Sequence, residues 1–310
     1  MTDSLNRRNF MMLAGTGLGA LSTAGAHAAT EEGVVSSPSP SGTMKLGMVT
    51  YNMGKDMSCE ELIALCKKTG MSGVELRTTH AHGVEITLTA AERAQVRTLF
   101  EDSGIEICGI GTACEYHSSD PAEVEAQIRE SIEFCQLAAD IGAPAIKVRP
   151  NGVPKGEEVE KVLERIGRSW GRVAKASADM GVEVRMEVHG PEPTRSLANM
   201  RKMLDYADEP NATVCWNSNG GEEDEHGRIK PAFDLVKHAI GQVHINEIGV
   251  YQYPWQELFS LLQDSGFTGY CLAEIQYNEQ PERFMRYYKT LFDLYTGQYR
   301  YPNPGIYGDK

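Results

Sequence analysis

The chain has 310 residues, 41% of them hydrophobic and 24% charged, which is the balance of a soluble globular protein with one large domain or two smaller ones. Its formal net charge is -13. That excludes the broad basic footprint a nucleic-acid binder needs and speaks against an anionic membrane surface as partner.

The first element in chain order is a leader. In NRRNFMMLAGTGLGALSTAGAHA, Arg7 and Arg8 are followed by Phe10, a mildly apolar glycine-rich run, and Ala26-His27-Ala28. The segment resembles a twin-arginine export signal with an A-x-A cleavage site, so residues 1–28 are expected to be removed and the mature protein to work in the periplasm or otherwise outside the cytoplasm. The run is too short and too rich in Gly and Ser for a membrane anchor, so no membrane contact is expected after cleavage. Residues 29–44, which include EEGVVSSPSPSGT, read as a linker.

From Lys45 to about residue 295, short β-like runs alternate with amphipathic helical stretches. The strands are expected at 46–52, 73–77, 106–113, 145–150, 183–190, 212–219, 242–248 and 270–275. Helical patterns between them, such as AAERAQVRTLFEDSG and EEVEKVLERIGRSWGRVAKASADMG, end on Gly as helix caps often do, and a last helix is expected near 281–295. Eight β-α units in about 250 residues predict an α/β fold, a (β/α)8 TIM barrel. A doubly wound open sheet is the rival, but no G-x-G-x-x-G follows any strand. The seven cysteines form no C-x-x-C pair, and Cys108, Cys215 and Cys271 fall in apolar runs, so free buried thiols are expected.

Alternate residues of a barrel strand face the helices or the interior. This parity sends Val74, Leu76, Ile146, Val148, Val184, Met186, Val214, Trp216, Val243 and Ile245 outward. It sends Glu75, Arg77, Lys147, Arg149, Arg185, Glu187, His189, Asn217, Asn219, His244, Asn246 and Glu274 inward, mostly toward the carboxyl ends of the strands, where barrel enzymes keep their active sites. Buried charge must be paired, hydrogen-bonded or metal-bound. For Glu75 and Arg185, which lie deeper, a structural ion network is the expectation. Glu187, Asn217, His244 and Glu274 lie on four successive strands and make a mixed oxygen and nitrogen set suited to one divalent ion, Mn²⁺, Mg²⁺, Co²⁺ or Zn²⁺. The loop RTTHAHGVE adds His80 and His82, and CEYHSSD adds Glu115 and His117, at the same end; with Arg77, Lys147, Arg149, His189, Asn219 and Asn246 they form a predicted polyol-binding set.

The run of MEVHG, CWNSN, QVHINE and LAEI on the last four strands resembles the xylose isomerase-like barrel superfamily, over most of the chain from about Lys45 to residue 295. That family carries Glu, Asp, His and Glu on strands five to eight as ligands of one divalent metal. Glu187, His244 and Glu274 match, whereas Asn217 stands where the family usually has Asp. The resemblance implies Glu187 and Glu274 as the acid/base pair of an isomerase or epimerase, moving a proton beside a carbonyl with a metal-stabilised enediolate. An exported protein meets few sugar phosphates, so a free sugar, keto-sugar or oxidised glycoside is the expected partner. The alternatives are a lyase cleaving 3-keto-glycosides in the same site and a non-catalytic sugar-binding barrel; DNA repair of the endonuclease IV type conflicts with the acidic charge. GGEEDEHGRI (220–229) reads as a solvated loop at the barrel mouth. The tyrosine-bearing tail 296–310 can either cover a neighbouring subunit, in a homo-oligomer, or cap the barrel.

Overall fold

The computed structural model of the protein describes residues 43–249 and 252–300. The expected leader, all but the last two residues of the linker, and the tail beyond residue 300 lie outside them. The described chain alternates strand and helix eight times. In order these are β1 (Lys45–Val49), α1 (Cys59–Thr69), β2 (Gly73–Arg77), α2 (Ala90–Ser103), β3 (Glu106–Glu115), α3 (Pro121–Ile141), β4 (Ala145–Arg149), α4 (Val159–Ser177), β5 (Glu183–Glu187), α5 (Leu197–Ala207), β6 (Ala212–Asn217), α6 (Lys230–Val236), β7 (Ile240–Ile245), α7 (Trp255–Asp264), β8 (Tyr270–Ala273) and α8 (Pro281–Tyr295). Each strand pairs in parallel with the next and β8 closes on β1, so the sheet is a closed eight-stranded barrel.

Local chemistry starts and stops the helices. Ser58 and Thr89 each accept from the backbone N–H three residues on, while Glu61 and Glu92 return the bond to the cap backbone, satisfying donors that a helix start leaves open. Asp120 caps α3 and Pro121 opens it. The outward residues of the strands pack under the helices: Val74, Ile146, Val184, Val214, Trp216 and Val243 are fully buried in one apolar layer. Trp216 lies 5.7 Å from the Phe233 ring of α6 and donates its Nε1 proton to Tyr253 Oη at 3.1 Å. Burying such a ring takes roughly 200 Å² out of water, on the order of 5 kcal/mol of gross stabilisation. Helices α4 and α5 come unusually close, because Gly171 has no side chain; a Cβ there would sit 2.2 Å from the Ala207 carbonyl oxygen.

Most strands are shorter at their carboxyl ends than the sequence suggests: β5 stops at Glu187, β6 at Asn217, β7 at Ile245 and β8 at Ala273, whereas β3 runs on to Glu115. At those ends the backbone leaves the ladder for loops, so His189, Asn219 and Asn246 are loop residues. Glu274 also follows its strand, yet its N–H still donates to Ile245 O at 2.9 Å. All seven cysteines are buried and free. The first residues after α8 pack at the amino-terminal end of the barrel, where Gln298 Nε2 donates to Met44 O at 3.0 Å.

Candidate active site

Four strand ends bring Glu187, Asn217, His244 and Glu274 together. Glu187 Oε1 accepts from Asn217 Nδ2 at 2.9 Å and lies 3.2 Å from His244 Nδ1. Glu274 Oε2 is 3.3 Å from that amide nitrogen and 3.6 Å from that imidazole nitrogen. One donor-type atom each from Glu187, His244 and Glu274 falls within 4.8 Å of the others. Glu187 and His244 are buried, while the Glu274 side chain is 18% exposed, so the cluster opens to solvent on the Glu274 side.

Beneath it, the other face of the imidazole is held as firmly. His244 Nε2 lies 3.2 Å from Glu75 Oε2 and 3.1 Å from Gln242 Nε2, and Gln242 also donates to Glu75 Oε2. Arg185 Nη1 donates to Gln242 Oε1 at 2.7 Å and to Cys108 O at 3.1 Å, which completes the interior network expected around Glu75 and Arg185. Gly111 makes the room: a Cβ there would stand 2.6 Å from Glu75 Oε1.

Lys147 Nζ donates to Glu187 Oε2 at 2.6 Å, with both side chains buried. Burial pushes the Glu187 carboxyl up, but the Lys147 ammonium and the His244 imidazole outweigh it and hold it well below the usual carboxylate range. Burial likewise opposes the Lys147 cation, and the Glu187, Glu75 and Glu274 carboxylates overcome it and raise Lys147. His189 shifts the other way: burial lowers it in spite of Glu187.

The donor set can be tested against a metal on one observation. Asn217 Oδ1 is buried and has no hydrogen-bond partner. A buried oxygen without a donor is costly. The Nδ2 of the same amide faces Glu187 and Glu274, so turning the amide over would bring Oδ1 to two carboxylates and an imidazole, the chemistry of a divalent oxygen- and nitrogen-ligand site. Glu187, Asn217, His244 and Glu274 therefore fit such an ion.

The remaining predicted residues divide. His189 is half-buried, with an unpartnered Nδ1, and feels the charges of Glu187, Lys147 and Glu274, which places it beside the cluster. Arg77 donates to Thr78 O and Oγ1 at 3.0 and 2.6 Å and lies within electrostatic reach of Glu187. Arg149 Nη2 donates to Glu115 Oε1 at 2.7 Å, and His117 Nδ1 stands 3.6 Å from Glu115 Oε2; this trio lies further out, at the ends of β3 and β4 and in the loop after β3. His80 Nδ1 bonds the Thr50 hydroxyl at 2.8 Å under the Tyr51 ring, and burial lowers it to about 4. No bond brings His82, Asn219 or Asn246 to the cluster. The His82 ring bridges Arg77 O at 2.8 Å and Val84 N at 3.1 Å, and Asn246 Nδ2 donates to Ser218 O at 2.8 Å and Asn219 Oδ1 at 3.4 Å. Past the strand ends, loop backbone needs partners, and these side chains supply them.

The comparisons agree with this architecture. Residues 63–290 match the family model described as xylose isomerase-like TIM barrel. The chain belongs to that family. Among solved structures, D-psicose 3-epimerase in the presence of D-fructose is similar at TM-score 0.68 and 17% identity, covering 82% of this chain and 100% of that one. The 3-keto-D-glucoside 4-epimerase YcjR from E. coli aligns at TM-score 0.68 and 15% identity, over 81% of this chain and 100% of its own. The IOLI protein with a binding zinc atom aligns at TM-score 0.67 and 16% identity, over 84% and 100%. Two curated proteins called phosphoglycolate phosphatase, from Pyrobaculum aerophilum and Pyrobaculum neutrophilum, are each 27% identical over 176 residues, 47% of this chain and 75% of theirs.

Some residues of this xylose isomerase-like barrel escaped sequence reasoning. Gln242 shares the inward parity of His244 two residues on, so the signal was present. Asn151, whose Nδ2 donates to Glu115 Oε1 at 2.8 Å, lies in a loop and left none. The loop 220–229 is largely exposed, as expected, with Glu222 an exception. Within it Glu222 is 7% exposed with neither carboxylate oxygen partnered, and burial pushes its carboxyl up to about 7.

Proposed function

We propose that the protein is a divalent-metal-dependent isomerase or epimerase of an unphosphorylated sugar or keto-sugar. The observation that carries this reading is the pair Glu187 and Glu274, held around a buried imidazole and an orphaned amide oxygen at the carboxyl end of the barrel. Family membership supports it, as do the names of the epimerases that share the fold. The cations around the cluster argue against a phosphate: among the described residues Lys147 is committed to Glu187 and Arg149 to Glu115, and the Arg77 Nη1 to Thr78. The twin-arginine leader expected at residues 1–28 points the same way, toward a compartment poor in sugar phosphates.

The residues divide the work by their surroundings. Glu187 is held ionised by Lys147, whereas Glu274 faces the opening. Glu274 takes the proton from the carbon beside the carbonyl, and the electron pair moves onto the carbonyl oxygen. Glu187, Asn217, His244 and Glu274 would hold a divalent ion, which would supply Lewis acidity at this end of the barrel. Glu187 returns a proton to the opposite face or to the neighbouring carbon, taking one up in exchange for the proton that Glu274 releases through the opening, while the Lys147 ammonium at 2.6 Å stays charged beside it. The His189 imidazole, with its free Nδ1, orients a substrate hydroxyl.

The test is exchange of a carbon-bound proton in D₂O, followed by NMR over a panel of keto-sugars, with metal content measured by elemental mass spectrometry. About one ion per chain is expected. Glu274→Gln should fold normally and slow exchange by about 10²- to 10⁴-fold, the usual worth of a positioned acid or base. Undiminished exchange in that variant removes the mechanism. Product mass separates the lyase reading, since elimination releases a fragment and epimerisation does not.

A further inference from the structure

Beside the cluster, and lined by none of its four residues, lies a groove of about 810 Å³ between the end of β3, the first turns of α3, the β4–α4 loop and Pro191. Its inner wall is Glu115, which Arg149 and Asn151 hold by their bonds to Oε1. Arg149 is two residues along β4 from Lys147, about 7 Å nearer the barrel mouth on the same face, and pairs in the sheet with Glu115, so this wall lies just outward of the Lys147–Glu187 pair. Pockets of about 300–1,000 Å³ enclose whole drug-sized molecules, so the groove has room for a complete sugar unit besides the one at the cluster.

Its chemistry narrows the occupant. Glu115, Asp120 and Glu123 bring carboxylates to the lining, and among the described residues that line it there is no Lys or Arg. Arg149 neutralises Glu115, but Asp120 and Glu123 have no Lys or Arg partner among the described residues, so the lining carries net negative charge that disfavours an anionic tail such as a phosphate or carboxylate. Sugar hydroxyls are matched, because a carboxylate accepts from them with two oxygens. Val153 and Pro191 add aliphatic surface for the C–H face of a ring.

We propose that this groove is a second binding site, for an uncharged glycosyl or polyol unit attached to the reacting sugar, so that the substrate is an oxidised glycoside and not a free monosaccharide. The inference rests on the reading of the Glu187–Glu274 cluster as a sugar-processing site and extends it to the substrate's size and charge.

The experiment compares proton exchange in D₂O for 3-keto-glucose and for 3-keto-trehalose, in the wild type and in Ala126→Trp and Val153→Trp, which fill the groove from α3 and from the β4–α4 loop. The wild type should favour the disaccharide at least tenfold in kcat/KM, and each variant should cut that ratio at least fivefold. Equal rates in the wild type, or a preference that survives both variants, overturns the second site. Exchange of neither sugar counts against the isomerase reading alone. In that case calorimetric titration with trehalose judges the groove: binding weakened about tenfold by both variants supports it, and absent or indifferent binding overturns it.

Discussion

His244 is gripped from both sides, with Nδ1 toward Glu187 and Glu274 and Nε2 toward Glu75 and Gln242. A carboxylate on the far nitrogen fixes ring orientation and tautomer, and losing such a partner typically costs 10- to 100-fold in metal affinity. Glu75→Gln is therefore expected to weaken Mn²⁺ or Zn²⁺ binding by about that factor, read by isothermal titration; a change under twofold would mean that Glu75 only fills space. Glu222 carries a prediction of another kind. Its carboxyl is raised from an ordinary 4.5 to about 7 by burial. Between those values the folded chain keeps a proton that the unfolded chain has released, so stability falls as pH rises through the window and levels off above it. The loss amounts to at most about 3 kcal/mol. Thermal melts at pH 5 and pH 8 should show a drop in the wild type that Glu222→Gln lacks, and parallel pH profiles would refute it. An interior ion network was legible for Glu75, but not its pairing with His244, and nothing marked Glu222. Glu75 has the right parity, but its partner lies 169 positions away in the chain, and Glu222 sits in an acidic run whose composition speaks for solvent.

At the scale of elements, the seam between α4 and α5 is the most exacting contact. Gly171→Ala gains helix propensity of about 1 kcal/mol, yet places a methyl 2.2 Å from the Ala207 carbonyl oxygen. The clash should win and destabilise the protein by about 1–3 kcal/mol, measured by urea unfolding. A neutral or stabilising result would show that the helices can part without loss. Strand identity and facing were readable because alternation is strict: Val214 and Trp216 are buried under the helices while Asn217 turns inward. Strand ends were not, since polar residues such as His189 and Asn246 keep the alternating pattern after the ladder has stopped. His82 and Asn246 show the same difficulty, being spent on backbone groups that no side-chain pattern reveals.

For the whole molecule, an ion shared by β5, β6, β7 and the end of β8 would tie half the barrel together. Free Mn²⁺ or Zn²⁺ at 100 times its dissociation constant should add about 2.7 kcal/mol, seen as a higher melting temperature that a chelator reverses. No shift with any of the four candidate ions would remove the metal from the site. The (β/α)8 architecture was legible from the count and spacing of its units, and the clustering of Glu187, Asn217, His244 and Glu274 from four residues at matching strand ends. The groove beside them was hidden, because its walls come from loops that only the closed barrel brings together. The buried thiols have a consequence in time. All seven cysteines are free and enclosed, and burial pushes Cys59 up to about 11 and Cys66 and Cys135 up to about 12. A thiol reagent or an oxidant therefore meets almost no thiolate until the barrel opens. The pace at which labels enter a resting sample is then a clock of spontaneous opening, kept by the chain itself.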